Sequence, residues 1–338
     1  MEKMRAILVK DGIGPLDNLY IGETDIPTLK SQEVLVKIAA FALNRMDISQ
    51  RKGFYPPPSG TSEILGVEFS GRIVALGPNT STRWTIGDEV LGLASGGAYA
   101  EFIAVIETHI LAKPPQLSWV EAASIPEAFI TAFQALALVG DIKRGEDVLV
   151  HAAASGVGIA AVQLARFYGA RTIIVTASTT DKLDFLLSLP AGATHAANYK
   201  KENFVNVTND ATGGKGVDLI IDTVGQAHFS RNLDALAMDG RMTMLSLISG
   251  FEISSLDLRP ILAKRLRIQG STLRSRSTDY KSEVFKRFGE LLCFFTGSEG
   301  NGPIRTYIHK VYPWTDIREA TRVMEADQNI GKIVVEIV

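Results

Sequence analysis

Residues 148–158 read VLVHAAASGVG, a short apolar run that turns through small residues into a helical pattern. In the pattern G-x-G-x-x-G the first glycine permits a tight turn, the second lets backbone approach a pyrophosphate, and the third lets a helix pack on a strand. Those positions fall here on Ala153, Ser155 and Gly158, with Gly156 added at the phosphate position. A small side chain can stand for glycine wherever the backbone angles are ordinary, so the stretch reads as a dinucleotide-binding turn. The segment after it, GIAAVQLARFYGA, is apolar apart from a stripe holding Gln163 and Arg166, as a helix packed on a sheet should be. Its first amides, at Gly156, Val157 and Gly158, would face an anion with the helix dipole assisting. The alternative is a strand-to-helix turn without a ligand, against which four further strands at suitable spacing argue.

The next strand bears on the choice of dinucleotide. An NAD site usually carries Asp or Glu at the end of the second strand, accepting from the adenosine ribose diol. That strand ends here as IIVTAST, with no carboxylate to repel a 2′-phosphate and with Ser178, Thr179, Lys182 and Tyr199 nearby. The reading is NADPH. Asp181, beside Lys182, opposes it, and Lys182 could equally be a solvated lysine at a helix start.

These residues need a scaffold. From Met4 to about Lys113 the chain is strand-like, with MRAILVK, EVLVKIAAFAL, ILGVEFSGRIVALG, GDEVLGLA and AYAEFIAVIETHILA separated by Gly, Pro and Asp. After Pro114-Pro115 comes a helical stretch, WVEAASIPEAFITAFQALALVG. The runs DVLVHAA, TIIVTA, VDLIIDTVG, GRMTMLSLI and LRIQGSTL then alternate with amphipathic segments, the spacing of a parallel sheet with helices on both faces. Gly225, Leu247, Ile248 and Leu273 follow successive strands, and ligands bind at the carboxyl ends of such sheets. From Pro303 the tail returns to strand, helix and strand, so a β-rich first domain interrupted by the parallel sheet is expected.

The bulk numbers narrow the function classes. A chain of 338 residues, 46% apolar, has room for two domains. Its 35 basic and 37 acidic residues leave a net charge of −2, with no global field to draw nucleic acid or an anionic membrane. One cysteine, Cys293, allows no intrachain disulfide and no zinc site built on several thiolates; its apolar context, ELLCFFTG, predicts a buried packing residue. With no apolar stretch of signal-peptide or membrane-span length, the expected location is cytoplasmic. The five histidines, His109, His151, His195, His228 and His309, show no metal-ligand spacing and read as structural.

The small-residue turn, GVEFSG at 66–71 and NIGKIVV at 329–335 resemble the medium-chain dehydrogenase/reductase superfamily across the whole chain. ALNRMDISQRKGFYP, IPEAFITAFQAL, NYKKENF, STLRSR and MEADQNIGKIV are similar to its zinc-free quinone oxidoreductases, in the branch of the tumour-suppressor-induced type. The resemblance implies an α/β fold: a β-rich GroES-like substrate domain over 1–124, completed by 276–338, and a Rossmann-type doubly wound parallel sheet domain over 125–275. Zinc-dependent members have cysteine where this chain has Asn44 and histidine where it has Val67, and neither can replace those ligands. No metal is therefore expected. Without a Lewis acid to deprotonate an alcohol, the chemistry left is hydride or single-electron transfer from NADPH to an acceptor that is already electrophilic.

By the same resemblance Tyr55 lines the nicotinamide pocket and Ser155 supports activity, the two catalytic candidates. Asn44, Thr131 and Asn329 become cofactor contacts, with Lys332 beside the last and Lys182 and Tyr199 at the adenosine phosphate. Asp47 holds its loop. The nicotinamide is expected between the domains, beside Tyr55 and Asn44. Relatives pair edge strands, so a homodimer through LRIQGSTL is expected. Two rival readings stand: reduction of an enal or enone double bond by NADPH, and an NADPH-binding structural or RNA-binding protein of crystallin type. The second rests on Lys264, Arg265, Arg267, Arg274 and Arg276, five positive charges without an intervening acid, whose more ordinary reading is solvated strand ends or phosphate steering.

Overall fold

The computed structural model describes residues 2–297 and 300–338. The chain divides into two compact units, one formed by Met1–Ile130 with Leu273–Val338 and the other by Thr131–Thr272.

The first unit is built on a mostly antiparallel sheet. Its order is Ile308–Pro313, Lys332–Glu336, Glu33–Ala42, Glu68–Leu76, Glu89–Leu93, Ile110–Ala112, with Phe102–Ile106 also pairing Glu33–Ala42. The long strand VLVKIA alternates as the pattern requires, burying Val34, Val36, Ile38 and Ala40. The C-terminal strand Lys332–Glu336 runs antiparallel to Ala40–Ala42, so the tail completes the sheet begun near the N-terminus. A ribbon of Lys3–Val9 and Leu19–Asp25 adds Ile7 and Leu19 to the same core as Phe41, Phe69, Tyr99 and Trp314.

The second unit holds six parallel strands in the order His195–Asn198, Thr172–Ala177, Asp147–Val150, Val217–Asp222, Leu236–Met244, Arg267–Gly270. Numbered along the chain this is 3-2-1-4-5-6, the doubly wound order with its switch point between the first and fourth strands. Asp147–Val150 and Thr172–Ala177 are buried at every position, as strands covered on both faces must be. The last strand is an edge and mostly exposed. Helix Gly156–Phe167 buries Gly158 through Ala165, including Gln163 at 1% exposure, so Gln163 belongs to the packed face and not to a polar stripe.

Two expectations change. Cys293 is exposed: it sits mid-way in a tight three-residue turn, Leu292–Phe294, whose neighbours Leu291, Leu292 and Phe295 take the inward positions. The five basic residues do not form one face of solvated charge. Lys264 donates to the Leu233, Asp234 and Leu236 carbonyls, Arg265 pairs with Asp239, and Arg274 is buried.

Candidate functional site

In the parallel unit, the strand Asp147–Val150 delivers the small-residue turn to the carboxyl edge at the switch point. The turn is tied to both neighbouring strands: His151 N donates to the Ile221 carbonyl at 3.0 Å and Ala153 N to the Thr176 carbonyl at 3.1 Å. Ser155 caps the helix, its Oγ accepting from Gly158 N at 3.0 Å, which leaves the hydroxyl proton free to donate to an anion. The amides of Gly156 and Val157 are helix-start donors without intrahelical acceptors. Gly158 is required by contact: a Cβ there would lie 2.5 Å from Ala153 Cα and 2.6 Å from the Ala152 carbonyl oxygen.

The residue with left-handed backbone is Ala152, at φ +46°, and not Ala153 where the glycine pattern would place it. A Cβ in that region costs roughly 1–2 kcal/mol, partly offset by the extra unfolded-state freedom of glycine. Ala152→Gly is therefore expected to stabilise the parallel unit by about 0.5–1 kcal/mol, read as a rise in the denaturant midpoint. A fall would show that the alanine methyl packs more favourably than its backbone strains.

Around the turn the sheet gathers most of the sequence candidates. Ser178 directly follows Thr172–Ala177, and Lys182 lies in the first turn of helix Thr180–Ser188. Tyr199 follows His195–Asn198 and meets His228 edge-on at 5.3 Å. Gly225, at φ +81°, lies against Leu247, since a Cβ on it would be 2.8 Å from Leu247 Cδ2. Leu247 and Ile248 are exposed at that edge, their loop held by Ser249 N donating to the Val224 carbonyl at 2.9 Å. Thr131 lies in helix Pro126–Phe133, ahead of the first strand of the sheet in sequence.

Beneath this edge is a polar cluster that sequence spacing gave no means to find. His151 is fully buried between Thr176 Oγ1 at 2.9 Å and Asn232 Oδ1 at 2.7 Å, with the His228 ring 4.6 Å away. Burial pushes its pKa down to about 3, with His228 adding repulsion, and burial lowers His228 to about 4. Asp222, buried at the end of its strand, accepts from Val224 N at 2.7 Å and Gly225 N at 3.3 Å; burial raises it to about 6 against those hydrogen bonds. Asp222 thus shapes the loop that presents Gly225.

In the β-rich unit a second cluster surrounds Asn44. Glu68, with no exposure, accepts from Lys332 Nζ at 2.6 Å and Asn44 Nδ2 at 2.8 Å through Oε1, and from Glu127 N at 2.8 Å through Oε2. Lys332 also donates to Asn44 Oδ1 and to the Leu43 carbonyl, each at 2.8 Å. The Asn44 carboxamide is thus engaged at both ends. Asp47 reaches back to Asn44 N at 2.8 Å and accepts from the Tyr99 hydroxyl at 2.9 Å; burial raises its pKa to about 6. Asn329 turns its amide onto the Gly331 carbonyl at 2.7 Å, a local contact.

Tyr55 is half-buried in the loop after helix Arg45–Arg51, with the Arg274 guanidinium over its ring at 5.4 Å. Desolvation raises the Tyr55 pKa, with Arg274 opposing, so the phenol keeps its proton. Beside it Met46, Val67, Leu93, Leu273 and Arg274 line a recess. Leu273, three residues beyond strand Arg267–Gly270, also lines this recess.

The chain was compared with known proteins. The zinc-binding dehydrogenase family matches residues 156–290, and the alcohol dehydrogenase GroES-like domain matches residues 30–115. The human quinone oxidoreductase is 30% identical over 333 residues, covering 98% of this chain and 97% of that protein. This chain belongs to the medium-chain dehydrogenase/reductase superfamily. It is an oxidoreductase of that superfamily, with a GroES-like and a Rossmann-type unit. The quinone oxidoreductase of Pseudomonas syringae pv. tomato DC3000 superposes with a TM-score of 0.85 at 26% identity, covering 99% of this chain and 100% of that one. The CurK enoyl reductase gives 0.83 at 29% identity, with 99% of each chain covered. The chain spans 8% of the length of the pikromycin polyketide synthase component PikAII of Streptomyces venezuelae, to which it is 30% identical over 326 residues.

Medium-chain dehydrogenase/reductases bind a nicotinamide dinucleotide, and the parallel unit suits one through its strand order, its Ser155-capped helix start and the glycine contact at 158. Zinc does not suit this member. Val67 offers no donor atom, the Asn44 amide is committed to Glu68 and Lys332, and the Lys332 ammonium already supplies the cation on Glu68. Among the described residues no group of three or more His, Cys, Asp or Glu side chains is placed to hold a metal, and no helix is long and apolar enough to cross a membrane.

Proposed function

We propose that this chain is a zinc-independent reductase that passes reducing equivalents from NADPH to quinones. The observation that carries the reading is the Glu68–Lys332–Asn44 cluster, in which an ammonium sits on Glu68 and on the Asn44 amide, the residue that stands where zinc-dependent members carry a cysteine ligand. The acceptor must then be electrophilic unaided, and a quinone is. The similarity to quinone oxidoreductases supports this choice. NADPH over NADH is supported by the end of the second strand, where Ser178 and Thr179 stand in place of a carboxylate and Lys182 follows in the first turn of the next helix.

In this reading Ser155, Gly156, Val157 and Gly158 hold the pyrophosphate, and Ser178, Lys182 and Tyr199 hold the adenosine phosphate. Gly225, Leu247 and Ile248 border the nicotinamide, while Thr131, Asn44 and Asn329 serve as further cofactor contacts. Tyr55 and Ser155 act at the reacting end. A homodimer would pair the exposed edge strand Arg267–Gly270 with its copy, and sedimentation velocity tests it.

The second reading, reduction of an enal or enone, is favoured by the protonated Tyr55, since that reaction needs an acid at the alpha carbon, and by the similarity to CurK enoyl reductase. Initial rates with NADPH and NADH on a naphthoquinone and on a 2-alkenal separate the readings. Tyr55→Phe is expected to lower kcat/KM about tenfold or more on the alkenal and less on the quinone. Unaltered turnover on both would remove Tyr55 from the site, and no NADPH consumption on either would end the reductase proposal.

A further inference from the structure

Arg274 is 7% exposed, and its donors are unequally used. Nε and Nη2 donate to the Ser95 carbonyl at 2.9 and 2.7 Å, and Nη2 also donates to Gln50 Oε1 at 2.6 Å. Nη1 is buried with no hydrogen-bond partner. A guanidinium carries five N–H donors, so the two on Nη1 are unspent in a place where an unmet donor costs free energy. The same side chain lines the recess walled by Met46, Val67 and Leu93, and it lies over the Tyr55 ring. A recess whose apolar wall of Met46, Val67, Leu93 and Leu273 also holds Glu127, Lys281 and a buried guanidinium with an unmet donor suits an oxygen that carries or gains negative charge.

On the reading of this chain as a reductase of carbonyl acceptors, we propose that Arg274 is a catalytic residue whose Nη1 holds the acceptor oxygen that becomes anionic. A reduced nicotinamide, when bound, would supply the hydride, its C–H bond breaking with the electron pair leaving on hydrogen. A new bond to that hydrogen forms on the acceptor. The acceptor's π pair shifts onto the far oxygen, which becomes an oxyanion held by Nη1. The dinucleotide would thereby be oxidised and the acceptor reduced by two electrons, with a proton from water completing the hydroquinone. Arg274 stabilises the charge without itself giving up a proton, because guanidinium stays protonated in proteins. Lys281 adds a second positive charge at the recess, while Glu127 lines it too and Asp47 acts on Arg274 from nearby, so the field is set by two cations against two carboxylates with Arg274 nearest the unmet contact.

The test uses the full chain without dinucleotide and 4-nitrophenol as the probe, because the phenolate is coloured. The bound phenol is expected to ionise about one pH unit lower than in solution, a tenfold shift in its equilibrium. Arg274→Gln should abolish the shift, and Arg274→Lys should keep part of it. Ala94→Phe, which fills the recess from a half-buried position and leaves Arg274 intact, should abolish binding of the probe; it decides the matter if Arg274→Gln fails to fold. Absence of binding or of a shift in the parent protein overturns the proposal, as does a shift that survives Arg274→Gln or Ala94→Phe. A shift that behaves as expected in a protein that consumes no NADPH would sink the reductase reading and leave the oxyanion site standing.

Discussion

Lys332→Met is expected to destabilise the β-rich unit by about 3–5 kcal/mol, the cost of stranding one member of a buried ion pair. The ammonium lies 2.6 Å from Glu68, whose side chain has no exposure, while that of Lys332 has 8%. After the substitution Glu68 keeps its hydrogen bonds from Asn44 and from Glu127 N, yet its charge has no counter-ion in a low-dielectric site. Asn44 Oδ1 and the Leu43 carbonyl lose their donor at the same time. Trp84, Trp119 and Trp314 all lie in this unit, so tryptophan emission during denaturant unfolding reports its stability selectively. The double variant Lys332→Met with Glu68→Gln removes both charges and, through the single carboxamide oxygen, keeps one of the two N–H contacts from Asn44 and Glu127. It should recover most of the loss, with a coupling of at least about 2 kcal/mol in the double-mutant cycle. A loss under about 1 kcal/mol for Lys332→Met alone would mean that water or a rearranged side chain already compensates Glu68, and the argument for a preformed cation at that place would fail.

How far the sequence reached can be judged from such residues. The parallel sheet was legible because alternating apolar runs and amphipathic segments impose their own spacing, and the turn was legible because strand, small residues and helix are contiguous. Even there, the left-handed residue fell one place early, on Ala152, because φ depends on how the turn is tied to Ile221 and Thr176. The Asn44–Lys332 contact spans 288 positions and no local pattern reports it. Glu68 did leave a signal, a lone acid in the otherwise apolar and small run GVEFSG, which a sheet can bury only with a partner. Arg274 looked like one more surface cation in a basic run, since the Ser95 carbonyl and Gln50 that receive it come from a loop 179 and a helix 224 positions away. Charge density along a chain says little about exposure when the partner is a backbone carbonyl.

Acidification is expected to open the parallel unit before the β-rich one. His151 and His228 titrate near 6.5 when unfolded but are held to about 3 and about 4 by burial, so below pH 6.5 the unfolded state binds more protons and gains on the folded state. At pH 5 each of these imidazoles costs about 2 kcal/mol of stability, at 1.36 kcal/mol per pH unit. Asp222 works the other way: raised from 3.8 to about 6, its folded form takes up a proton first, which returns about 1 kcal/mol by pH 5. The histidines win, and the net loss in this unit is about 3 kcal/mol. In the β-rich unit His109 is lowered to about 4 by burial, opposed by Asp47, raised to about 6, for a net loss of about 1 kcal/mol from this pair. Hydrogen exchange at pH 5 against pH 7.5 should therefore show protection falling first in Asp147–Val150, Val217–Asp222 and helix Gly156–Phe167, while tryptophan emission from the β-rich unit stays unchanged. His151→Asn, which removes the strongest of these proton traps, should flatten the acid dependence of the parallel unit at some cost in stability at pH 7.5, because Thr176 and Asn232 lose a partner of the right reach. Earlier opening of the β-rich unit would mean that the carboxylates, and not the buried imidazoles, govern the response of this protein to acid.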